Sequence, residues 1–132
     1  TTTHPPLRVQ FHPAASGLDT ADIALAVGAD IVWVDSLIPA LVSTMAHLAR
    51  VPRRAGAPPL LFLIAHQTRS RASDALFMRE LDAAGFTVTS LPASSLHPRF
   101  RDPAIAVLRI VQRDAVPGVP SATDAAAASA AP

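Results

Sequence analysis

Two short, nearly unbroken apolar runs, residues 21–28 and 60–65, constrain this chain more than any other feature. Runs of that length fit strands buried on both faces of a sheet, because a buried helix needs a longer window. Between them, Ile38, Leu41, Val42, Met45 and Leu48 recur at helical spacing across residues 37–50. Asp35 or Ser36 is expected to cap that helix, and Pro39 is tolerated close to its start. Residues 51–59 hold three prolines and a glycine and read as a loop. A second helix is predicted over residues 74–84, with Ser73 as cap, Leu76, Phe77 and Leu81 on one face, and Gly85 as its stop.

Three more segments read as strands. Residues 7–11 and 86–91 alternate apolar with polar side chains, and residues 104–111 form a further apolar run. Strands alternating with helices predict an α/β fold with a mostly parallel sheet and right-handed crossovers. No helix separates the last two strands, so the final strand is expected to run antiparallel. Residues 1–6 are expected to be a disordered leader, residues 7–113 one domain, and residues 114–132 a disordered Ala/Pro-rich tail.

Composition narrows the partners. The chain carries 11 basic and 10 acidic side chains, a formal net charge of +1, which gives no general attraction for nucleic acid or an anionic membrane. Its longest apolar stretch, residues 23–34, is broken by Asp30 and falls short of the roughly 20 residues a membrane span needs. Without cysteine there is neither a disulfide nor a thiolate metal site, and no secretory signal opens the sequence, so a cytoplasmic or nuclear home is expected. The histidines show no metal-ligand spacing, so no metal is expected, and no serine sits in a nucleophile elbow.

In a parallel sheet, ligands bind where the strands' carboxyl ends line up along one edge. The predicted strands end at Phe11-His12, Ala29-Asp30 and Ala65-His66-Gln67, which brings polar and aromatic groups to a common rim. Asp30 could orient a ligand there or cap a turn, Trp33 could line the site or anchor the core, and Arg69 could pair with a carboxylate or sit in solvent. His66 could line the pocket or be a hydrogen-bonded structural histidine.

The segment Val27-Gly28-Ala29-Asp30-Ile31-Val32-Trp33-Val34-Asp35, continued by an amphipathic helix, resembles the end of the fourth strand in protein-lysine methyltransferases of the seven-strand, S-adenosylmethionine-dependent kind. That family's Asp-x-x-aromatic pattern falls on Asp30 and Trp33. Leu61-Phe62-Leu63-Ile64-Ala65-His66-Gln67-Thr68-Arg69 is similar to the fifth strand and the arginine beyond it. Phe77 to Val88 is similar to the next helix, glycine stop and sixth strand, and residues 104–111 stand where the seventh belongs. The resemblance covers about residues 7–112 and implies the carboxyl-terminal half of a Rossmann-like seven-strand sheet.

Methyl transfer from a sulfonium to an amine needs an acceptor held in line and stripped of water. Lysine, with an unperturbed pKa of about 10.4, must also shed a proton. The resemblance gives Asp30 the task of drawing in the ammonium and Trp33 that of holding the alkyl stem and cation. It assigns Phe11, Gly28 and Ala29 to the cofactor, His66 and Arg69 to the substrate, and makes a protein lysine the partner.

The sequence departs from the family where the cofactor is gripped. It contains no G-x-G, and Gln10 stands where the family often has an acid beside an aromatic. A partial chain is therefore expected, binding S-adenosylmethionine weakly or not at all alone, with self-association through an exposed sheet edge. The alternatives are a catalytically inactive, methyltransferase-derived protein-binding module, or an unrelated α/β domain.

Overall fold

The structure, a computed structural model, describes residues 20–113. The expected leader, the strand at residues 7–11 with Phe11, and the tail lie outside the described residues. Four strands and two helices follow in the order β1 (Leu25–Ala29), α1 (Ile38–Arg50), β2 (Leu61–His66), α2 (Arg71–Ala83), β3 (Phe86–Ser90) and β4 (Ala106–Gln112).

Each helix forms where the apolar period demanded, and its ends are set by local hydrogen bonds. α1 follows a 3-10 turn at Asp35–Leu37 and accepts Pro39 in its first turn, where the missing N–H is not needed. No side chain caps it. Asp35 instead accepts a hydrogen bond from the Ser73 hydroxyl and so ties the start of α1 to α2. α2 begins three residues earlier than expected, because Ser70 rather than Ser73 is the cap and accepts from the Ser73 N–H. It stops at Gly85, whose φ of +82° is open to glycine at little cost.

The sheet is mixed and open, with strand order β1-β2-β4-β3. β1 and β2 pair in parallel, whereas β4 pairs antiparallel with both β2 and β3. The final strand is therefore reversed, as expected. A mostly parallel ladder is not found, and β1–β2 is the one parallel pair among the described residues. The physical reason is that β4 inserts between β2 and β3 and separates two strands that run in the same sense.

Register assigns side chains to the two faces. Phe62, Ile64, Phe86 and Ile110 point to one face and pack with Val42, Met45, Phe77 and Leu81 of the two helices. Phe62 and Phe86 meet edge-on, with ring centroids 5.9 Å apart, a favoured aromatic geometry. On the opposite face lie Leu25, Val27, Leu61, Leu63, Val107 and Val111, and α1 and α2 do not cover it. The expectation that both apolar runs would be buried on both faces is thus corrected. β1 is outermost among the described strands, and Val27 is 75% exposed.

An apolar edge strand is a template for pairing with another chain, and a charged side chain blunts it. The protein is expected to self-associate through β1, and Val27→Lys to shift it toward monomer. Sedimentation velocity of the two proteins at matched concentration checks this, and identical profiles would exclude β1 as the contact. No helix among the described residues is long and apolar enough to cross a membrane.

Candidate functional site

The rim at the carboxyl ends of β1 and β2 carries the most chemically specific arrangement in the protein. β1 ends at Ala29, and the next residue, Asp30, has φ +53°. Non-glycine residues seldom adopt this left-handed conformation, although a short polar side chain such as aspartate tolerates it. The turn is pinned by the Asp30 N–H donating to the Ala65 carbonyl at 3.1 Å, which locks the end of β1 to β2.

The Asp30 carboxylate meets the guanidinium of Arg69. Arg69 Nε donates to Oδ1 at 3.3 Å and Nη2 to Oδ2 at 3.1 Å, a two-pronged fork. Both side chains are more than half exposed. In water an ion pair of that kind contributes only about 0–1 kcal/mol, so its consequence is orientation more than stability. The fork leaves the carboxylate further acceptor capacity toward solvent. Ala29, Asp30, Ala65, Gln67, Arg69 and Ile105 surround an open cavity of about 220 Å³.

The expected site residues divide in two. Ala29, Asp30 and Arg69 come together at this cavity. Trp33 stands three positions beyond Asp30, 62% exposed, and does not line it. The reading of Trp33 as a core anchor is overturned, since the buried residue of that stretch is its neighbour Val32.

Gly28 is turned away from the rim. It pairs with Ile64 on the helix-covered face and borders an apolar hollow of about 160 Å³ beside Ile31, Leu41 and Leu48. His66 is also removed from the rim cavity, because β2 alternates through Phe62, Ile64 and His66 and carries all three under the helices. Its Nε2 lies 2.8 Å from Asp74 Oδ1, and the other oxygen of Asp74 accepts from the Thr68 hydroxyl at 2.7 Å. That cluster fastens the end of β2 to the first turn of α2, so His66 acts in structure there.

With Gly28 facing α1 and Phe11 outside the described residues, only Ala29 of the expected cofactor contacts borders the rim cavity. No protein-family model and no curated protein matches the chain. Fold and site together define an open-sheet α/β domain with an oriented carboxylate–guanidinium pair at the carboxyl ends of β1 and β2.

Sequence reasoning missed one neighbour. Residues 92–103, read as a connector, close a second hollow together with the end of β3 and the start of β4, and Ile105 borders both hollows. Leu91 and Leu96, apolar residues within and beside the connector, were the available signal.

Proposed function

We propose that this chain is the acceptor-facing part of an S-adenosylmethionine-dependent protein-lysine N-methyltransferase. The observation that carries the reading is the Asp30 carboxylate at the end of β1, on a left-handed turn pinned to Ala65, oriented by Arg69 and open to solvent. S-adenosylmethionine would supply the methyl group, and of the described residues Ala29 is the expected cofactor contact that borders the cavity.

The chemistry of the described residues fits the acceptor side. A lysine ammonium entering the cavity adds a second cation to a carboxylate that already has a fixed direction, so little ordering is left for binding to accomplish. The indole of Trp33, exposed three positions beyond Asp30 but outside the cavity lining, is given the alkyl stem by the family resemblance. The reversed last strand and the order of apolar segments also agree with the family resemblance.

Trp33 is the single tryptophan and stands three positions beyond Asp30, so a lysine peptide held by both residues would alter its fluorescence. Titration with an amide-capped lysine peptide is expected to change its emission saturably, and Asp30→Asn to remove the response. A response equal for lysine and norleucine peptides would exclude a carboxylate-directed lysine site.

A further inference from the structure

We infer that the hollow closed by residues 92–103 is a subsite for the substrate polypeptide, taking a large apolar side chain about four residues from the acceptor lysine. This inference rests on the lysine reading of the Asp30 cavity. The hollow has a volume of about 330 Å³, and Leu91, Leu96, Arg101, Asp102, Pro103 and Ile105 are among the residues that line it. That volume suits a leucine or an aromatic ring.

Two observations select an extended peptide as the occupant. The first is continuity, since Ile105 borders both this hollow and the Asp30 cavity. From β1 to β3 the sheet spans three strand spacings, about 14 Å, which an extended peptide covers in about four residues. A segment laid across the rim can therefore place a lysine at Asp30 and its apolar neighbour in the hollow together. The second is charge. Asp102 Oδ1 accepts from the Ala104 N–H, whereas Arg99 and Arg101 have no carboxylate partner among the described residues. Arg101 Nε is fixed by the Leu96 carbonyl at 3.0 Å, which leaves its other N–H groups for an acidic side chain beside the apolar one.

The test uses the whole chain and fluorescein-labelled peptides read by anisotropy. One set carries lysine with leucine and glutamate about four residues away, in either chain direction. A second replaces the leucine by serine, and a third replaces the lysine by norleucine. Ala93→Phe obstructs the hollow from an exposed position without disturbing the core. The leucine-to-serine change and Ala93→Phe are each expected to weaken binding about tenfold, the scale of one buried apolar side chain. Arg101→Glu should weaken only peptides containing glutamate.

If the serine peptide and the Ala93→Phe protein bind as well as their parents while norleucine weakens binding, the subsite is refuted and the lysine reading stands. If norleucine changes nothing, the lysine reading fails and the two-point inference falls with it. Capture of a single-stranded oligonucleotide with no binding of any peptide also overturns it.

Discussion

Asp30→Asn is expected to lower kcat/KM for a protein substrate about 100-fold in the complete methyltransferase proposed above, the cost of losing acceptor alignment by about an ångström. Asparagine is the informative replacement, because it keeps the side-chain shape and tolerates φ +53°, so the backbone is undisturbed while the charge and one prong of the Arg69 fork are removed. Asp30→Ala mixes two effects, since alanine in that conformation costs about 1 kcal/mol in addition. Affinity for S-adenosylmethionine and the melting temperature should stay close to those of the parent for Asp30→Asn. Unchanged turnover would remove Asp30 from the site. Arg69→Lys offers a graded comparison. It keeps the cation but loses the fork that directs the carboxylate, so a smaller loss is expected.

The largest effect on stability is expected from Phe77→Ala. Phe77 is 1% exposed and sits in the core among α1, α2 and the sheet. Truncating a buried phenylalanine costs about 3–5 kcal/mol through lost transfer energy and the cavity left behind. Domains of this size are stable by about 5–15 kcal/mol, so the variant stands near unfolding. Urea denaturation followed by circular dichroism measures the difference. A loss below about 1 kcal/mol would mean that the two helices do not close on the sheet as described. Met78, its exposed neighbour, is the control, and Met78→Ala is expected to be nearly neutral.

Much of this architecture was legible because period and register are local properties. Helical spacing from Ile38 to Leu48 and around Phe77 and Leu81 located both helices, and the missing helix between the last strands anticipated the reversal of β4. Two neighbouring serines can each cap α2, and composition does not choose between Ser70 and Ser73. Apolar content alone does not distinguish a central strand from an outermost one, which is why the exposure of Val27 ran against expectation. The site was half legible. Asp30 and Arg69 were each picked out, but the contact between them spans 39 positions and requires β1 and β2 to be in register. The placement of His66 was within reach, since the alternation of Phe62 and Ile64 extends to it. The hollow at residues 92–103 depends on how a loop folds back, which no periodicity encodes.

The left-handed turn at position 30 also imposes two different filters on substitution. Glycine and asparagine satisfy its backbone as aspartate does, while β-branched side chains do not. Saturation mutagenesis scored separately for protein abundance and for the proposed methylation should therefore diverge there, with three residues compatible with accumulation and aspartate alone compatible with the proposed activity. At Leu81, wholly buried, the two scores should fall together.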